Sequence, residues 1–234
     1  MRRLITVLVG ISLTMGVVGN VFAGPKEEIR EDTNTLKNFS SMPERQIPPA
    51  VLKNAKGFAI FHVIDVGLLV NGKGGPGIVV ARTNNGWSGP LFVGLGGAGV
   101  GAQIGAKVKK LVLVLNSDKA VEAFSHGNVK LGADLTASAG PAGASAEAET
   151  AFTNIDMFSY AASNGVFAGL SLEGSVIAPR GSTNDTYYGK SVTPSEILSG
   201  KVQPPVSAAM LTKVLNSVGS TGMVSQLNTT TKRH

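Results

Sequence analysis

The chain has 234 residues, with 30 Gly, 11 Pro, three His and no Cys. That length suits one domain with a real core plus tails, and a charged fraction of 15% excludes a disordered polyelectrolyte. Zero Cys removes disulfide staples, thiolate metal sites and a Cys nucleophile, and a net charge of +6 is too mild to imply nucleic acid.

The first residues read as an address. Met1-Arg2-Arg3 is a positive start, Leu4 to Gly19 is uncharged and mostly apolar, and Val21-Phe22-Ala23 has the small-x-small cleavage pattern. This predicts a secretory signal peptide over residues 1–23, with a retained membrane anchor as the other reading of the same run. Cleavage would lower the net charge from +6 to +4. The product is expected to be exported: periplasmic, membrane-associated or secreted. The expected organisation is a domain over residues 24–200, then a C-terminal helix and loose polar tail over 201–234.

In chain order, Lys26 to Ser41 is polar with Ile29, Thr33, Leu36 and Phe39 at helical spacing, which predicts a short amphipathic helix. Pro48-Pro49 ahead of Ala50 to Lys56 and Gly57 predicts a second. From Phe58 the pattern turns to strand. Phe58 to Phe61, Val66 to Val70 and Ile78 to Arg82 are strands, Gly72 to Gly77 is a loop, and Asn84-Asn85-Gly86 is a hairpin turn returning through Trp87. Gly94, Gly96, Gly97, Gly99 and Gly101 nearly alternate with other residues. They are expected to be structural, baring one strand face for close approach of another backbone. Leu111 to Leu115 is the run of a strand covered on both faces, and Asn116-Ser117 caps a short helix through Phe124.

Val129 to Ala139 alternates cleanly and predicts a half-buried strand of about 11 residues. Ala144 to Ala148 repeats the pattern weakly. Met157 to Ala161, the turn Ser163-Asn164-Gly165 and Val166 to Ile177 predict a hairpin. Thr193-Pro194-Ser195-Glu196 is a capping box opening a helix that stops at Gly200. Ser207 to Val218 predicts a last helix, with Ala209, Met210, Val214, Leu215 and Val218 as its apolar set. The fold class is α+β: a strongly twisted antiparallel β-sheet, open or barrel-like, with short peripheral helices at the N- and C-terminal ends.

Motifs for catalysis are weak. Gly94 to Gly99 satisfies G-x-G-x-x-G, but the segment that should be a helix holds Gly101 and Gly105. Gly67 to Lys73 resembles a phosphate loop, yet Gly74 stands where a metal-binding hydroxyl belongs, and Leu68-Leu69-Val70 reads as strand. His62 and Asp65 would lie on opposite strand faces, a poor dyad. Glu147 and Glu149 share a face without a cleft to work across. No enzyme activity and no cofactor are expected. The basic residues say more: Lys107, Lys109 and Lys110 cluster, Lys107 and Lys109 share a strand face, Lys53 and Lys56 share a helical face, and Lys73 sits among glycines. They read as an anionic-lipid surface or as a solvated charged edge.

Ordered blocks carry a resemblance: Ala55-Lys56-Gly57-Phe58-Ala59-Ile60, Gly74 to Arg82, Gly86-Trp87-Ser88-Gly89-Pro90, Gly94 to Ala106, Leu111 to Asn116, Gly132 to Pro141, Ser159-Tyr160, Gly165 to Ser175 and Tyr187-Tyr188-Gly189. From about Ile29 to Gly200 the chain resembles the SYLF lipid-binding domain. The resemblance implies non-enzymatic binding of phosphoinositide-like anionic phospholipid at a membrane surface. It also implies contact through basic residues and an N-terminal amphipathic helix. By position these are Lys53, Lys56 and the helix around Leu36 and Phe39, with Lys73, Lys107, Lys109 and Lys110 as further candidates. Eukaryotic members bind actin; the expected export sets that aside, and protein partners stay open. A periplasmic structural or protein-interaction module is the alternative.

Overall fold

A computed structural model describes residues 24–41, 47–140, 155–163, 166–167 and 172–218. The signal-peptide segment, the Ala144 to Ala148 alternation, the Asn164-Gly165 turn and the tail after Val218 lie outside them.

Two strands build the frame. β1 (Gly57–Thr83) and β3 (Leu91–Leu115) pair antiparallel from Gly57↔Leu115 to Val79↔Leu91. The turn at Asn84-Asn85 and β2 (Gly86–Trp87) join them, with Gly86 at φ 122°. The register shifts between Leu68, opposite Ile104, and Leu69, opposite Gly101, and the extra residues on β3 bend the ribbon. The expected loop at 72–77 is strand: Lys73 to Pro76 hold ladder positions opposite Gly97 to Gly94.

Glycine serves close approach here, not a loop. A Cβ on Gly75 would lie 1.8 Å from the His62 carbonyl oxygen, one on Gly77 2.2 Å from that of Ile60, and one on Gly57 2.6 Å from that of Val80. β1 therefore curls until its second limb rests on the backbone of its first. Contact of this kind was expected at Gly94 and Gly96. A Cβ on Gly96 would instead meet open space, and one on Gly94 only the Arg180 side chain at 3.8 Å. A Cβ on Gly97 would be tight, 2.7 Å from Ser175 Oγ and 2.9 Å from Lys73 Cε. The surroundings of Gly99 and Gly101 are not among those described.

The second edge of β3 takes β6 (Met157–Ser163) along Lys110 to Leu115 and β8 (Val176–Pro179) along Val93 to Gly96. β4 (Val129–Lys130) pairs β8, β7 (Val166–Phe167) pairs β6, and β5 (Ala137–Ala139) runs parallel to β6. The eight strands form one strongly curled half-barrel, antiparallel apart from the β5–β6 contact.

Helices cover both faces. α1 (Pro25–Ser41), α2 (Pro49–Asn54) and α6 (residues 209–218) pack on the face bearing Phe58, Ile60, Ile78, Val80, Val112 and Val114. α3 (Asp118–Ser125) and α5 (Pro194–Leu198) close the other face, over Phe61, Val63, Val79, Leu91, Leu111 and Leu113. Ser117 caps α3 by accepting from Ala120 N, and the Thr193/Glu196 capping box opens α5. A strand buried on both faces carries an unbroken apolar run, as Leu111 to Leu115 does.

Three further expectations change. The clean alternation of Val129 to Ala139 is not one strand: Gly132 turns at φ 95°, Asp134 accepts from Lys130 N at 2.7 Å, and pairing resumes at β5. Val129, Leu131 and Leu135 are still buried, so the alternation reported burial and not strand continuity. The second arm of the expected 157–177 hairpin divides: β7 stays with β6, while β8 crosses to β3. In α6 the buried residues are Leu211, Leu215 and Val218, and Met210 faces out. α4 (Gly181–Tyr188) had no counterpart in the sequence reading.

Candidate functional site

The lysines singled out from sequence do not form one patch. Lys53 and Lys56 are exposed at the end of α2 and the start of β1, where Lys56 N donates to Leu115 O and its Nζ stands 3.5 Å from Asp118. Lys110 and Lys107 lie back along β3 from Leu115 by about 16 and 26 Å of strand, at roughly 3.3 Å per residue.

Within the Lys107 to Lys110 group, side-chain alternation sorts the charges. Lys107 is exposed, opposite Asp65 in the ladder. Lys109 shares that face, but the curl buries it to 7% exposure, and its Nζ donates to Asp65 Oδ2 at 2.9 Å. Lys73, on the returning limb of β1, is half-buried near the same pair. Burial pushes its ammonium down, with Asp65 opposing that shift and Lys109 adding to it. Lys109 and Lys73 thus belong to the inside of the curl.

The opposite face differs. Val66 is 51% and Val108 58% exposed. Val108 pairs with Ile64 and Val66 with Ala106, so the two valines are diagonal neighbours on one face. Lys110, half-buried, lies one step along from Val108 on that face, opposite His62. Between Gly96 and Lys110 the second edge of β3 carries no strand among the described residues. The bend of the ribbon therefore offers an exposed apolar pair with Lys110 beside it on the same face and Lys107 exposed on the reverse of the strand.

α1 lies on the same face, further along. Leu36 and Phe39, expected to meet a membrane, are buried against the sheet together with Ile29. Its buried stripe also holds polar groups that the sequence reading missed. Glu28 takes a bidentate contact from Arg180 Nη1, both at 2.8 Å. Asp32 Oδ1 stands 3.1 Å from His62 Nε2, close enough for attraction but not aligned for a hydrogen bond. Thr35 Oγ1 is 3.4 Å from the same nitrogen. Burial pushes Asp32 up to about 7; His62 opposes the shift, and Glu28 and Glu31 add to it. Burial also raises Glu28, against the pull of Arg180. The spacing of Glu28, Asp32 and Thr35 with Ile29, Leu36 and Phe39 was the available signal: polar and apolar residues share one helical stripe. His62 and Asp65 do lie on opposite faces, each with its own partner.

The glycine motifs hold no cofactor geometry. Gly94 to Gly97 are ladder residues opposite Pro76 to Lys73, and Gly67 to Lys73 lie within β1, so neither forms a strand-to-helix turn. Among the described residues, no group of three or more His, Asp or Glu is placed to hold a metal ion. No helix among them is long and apolar enough to cross a membrane.

Residues 96–218 match the family model Ysc84, described as "Las17-binding protein actin regulator". The chain is 38% identical over 213 residues to Protein YSC84 of Saccharomyces cerevisiae, covering 87% of this chain and 46% of that protein. It is 41% identical over 200 residues to SH3 domain-containing YSC84-like protein 1 of Homo sapiens, covering 82% and 58%. With SH3 domain-containing protein PJ696.02 of Schizosaccharomyces pombe the identity is 46% over 176 residues, covering 73% and 41%. The chain spans about half the length of the curated relatives it matches. The chain belongs to the Ysc84 family, that of the SYLF domain its sequence blocks resemble.

Proposed function

We propose that this Ysc84-family chain is a non-enzymatic module that binds anionic phospholipid at a membrane surface through the bend of the β1–β3 ribbon. The observation that carries the reading is the exposure of Val66 and Val108 on one face, with Lys110 next to Val108 on that face and Lys107 exposed on the reverse of the same strand. Apolar side chains flanked by ammonium groups suit a bilayer interface, where the first enter the acyl boundary and the second meet phosphate. Lys53 and Lys56 form a separate basic spot at the other end of the strand. Lys73 and Lys109 support the bend from within. The family description, which speaks of binding and regulation, supports a non-enzymatic role.

The test is co-sedimentation with phosphatidylserine-containing and purely zwitterionic vesicles at low and high salt. Each lysine near an anionic surface contributes about 1 kcal/mol, so Lys107→Glu with Lys110→Glu should weaken binding about 30-fold or more. Added salt should weaken the wild type as well. Failure of the wild type to bind any anionic vesicle would refute the lipid reading.

That result would favour the second reading, a protein-interaction module. It is supported by the family description and by the apolar residues Val206 and Met210, exposed one turn apart before and within α6. Export completes the proposal: the leader-like residues 1–23 direct the chain to an envelope membrane. Intact-mass measurement on the expressed protein should find a chain beginning at Gly24, and a full-length cytoplasmic product would overturn it.

A further inference from the structure

The contact between α1 and the sheet is built around a carboxyl that the site discourages from ionising. Asp32 is fully buried, at 0% exposure, and neither of its oxygens accepts an aligned hydrogen bond. From β1, His62 Nε2 stands 3.1 Å away, and Thr35 of α1 shares that nitrogen. On α1 itself, Glu28 and Glu31 bring like charge, and Arg180, just ahead of α4, is engaged with Glu28. From β3, Lys110 lies across the ladder from His62. The 3₁₀ turn Val206–Ala208, also in contact with α1, brings no titratable side chain.

What α1 covers is the continuation of the exposed strip. Phe58, Ile60, His62, Ile64 and Val66 alternate along one face of β1. The first three are buried, Ile64 is half-buried and Val66 emerges into solvent. His62, where Asp32 and Thr35 meet the sheet, marks the border. A helix held at that border sets how far the apolar strip extends.

We propose that α1 is a proton-gated strap: it stays docked while Asp32 carries a proton, and ionisation of Asp32 loosens it and lengthens the apolar strip offered at Val66 and Val108. The membrane consequence rests on the reading of function above; the strap itself does not. The sign follows from the shift. The docked state holds the Asp32 proton up to about pH 7, while a released Asp32 loses it near its ordinary value of 3.8. Docking therefore weakens as pH rises between those values, by up to about tenfold per pH unit, and levels off above. Glu28, also raised by burial, acts in the same direction.

Hydrogen exchange of the α1 amides, corrected for intrinsic rates and referenced to Val112 to Val114, tests the strap on the wild type and on Asp32→Asn. Between about pH 5 and about pH 7.5 the opening of wild-type α1 should rise at least about tenfold, while Asp32→Asn keeps only the smaller part that Glu28 contributes. A wild type whose α1 exchange ignores pH overturns the strap, as does an Asp32→Asn protein that keeps the full response. Flotation on phosphatidylserine vesicles at the same two pH values tests the consequence: wild-type capture should rise with pH, and that of Asp32→Asn should rise much less. Vesicle capture that ignores pH while α1 opens overturns the link to the membrane. No capture of wild type at either pH sinks the lipid reading and leaves the strap judged by exchange.

Discussion

Replacing Gly75 with Ala probes the curl of β1 directly. The added Cβ would sit 1.8 Å from the His62 carbonyl oxygen and 2.9 Å from its carbon. A carbon and an oxygen tolerate roughly 3.2 Å, so the two limbs must part by more than about 1 Å. Both limbs are fixed in the β3 ladder, at His62↔Lys110 and Gly75↔Leu95, and a backbone oxygen has no rotamer to escape into. Overpacking costs about 1–3 kcal/mol where side chains can yield; here the cost should be at least about 3 kcal/mol, a large part of a stability of roughly 5–15 kcal/mol. Gly96→Ala is the control, because nothing lies within 4 Å of its added carbon. Loss of glycine freedom in the unfolded chain should leave it neutral or stabilise it by up to about 1 kcal/mol. Urea denaturation followed by circular dichroism reads both, and Gly75→Ala should lower the midpoint by about 1 M or more at unchanged slope. Equal midpoints for the two variants would refute the contact between the limbs of β1.

Two further outcomes follow from buried charge. Lys109→Met leaves Asp65 inside the curl without its ammonium, and should cost about 3–5 kcal/mol in the same denaturation assay; adding Asp65→Asn should recover part of the loss. Asp32→Asn should match wild-type stability near pH 4 and exceed it by up to about 4 kcal/mol at pH 8. A carboxyl pushed up to about 7 penalises the folded state as pH climbs from its ordinary value towards that point, and an amide does not. A stability difference that does not change with pH would remove Asp32 as its source.

Much of the architecture was legible because it rests on local rules. The Asn84-Asn85 turn, the Ser117 cap and the Thr193/Glu196 box are short-range devices, and each appears where its residues stand. What sequence misassigned depends on partners far away in the chain. Gly72 to Gly77 resembles a loop in isolation; it is strand because β3 pairs with it and the first limb of β1 needs its glycines to approach. α4 has a Gly-Ser-Thr-Asn start of poor helix propensity. It is held by Asn184, whose Oδ1 accepts from Phe92 N at 2.8 Å and whose Nδ2 donates to Phe92 O at 2.9 Å. Aromatic contacts add to this: Tyr187 meets Phe92 at a 5.0 Å ring separation. No pattern within residues 181–188 reports a bond to residue 92.

The lysines show the same divide between local pattern and long-range placement, and it decides how the lipid surface must be tested. Lys107, Lys109 and Lys110 look equivalent as a run. Alternation puts Lys107 and Lys109 on one face and Lys110 on the other, and the curl then turns Lys109 inward onto Asp65 while Lys107 remains at the surface. A triple charge reversal would place a carboxylate beside Asp65 in a buried site. The protein would lose vesicle binding by unfolding, whether or not it binds lipid. Reversing Lys107 and Lys110 alone changes the surface charge by −4 and leaves the Asp65–Lys109 pair intact. Lys109→Met, which disturbs the pair and not the surface, is the matched control. If the double variant loses vesicles at unchanged denaturation midpoint, the bend is the contact surface. If only Lys109→Met loses them, together with its stability, the run contributes to the fold and the lipid surface lies elsewhere, at Lys53 and Lys56.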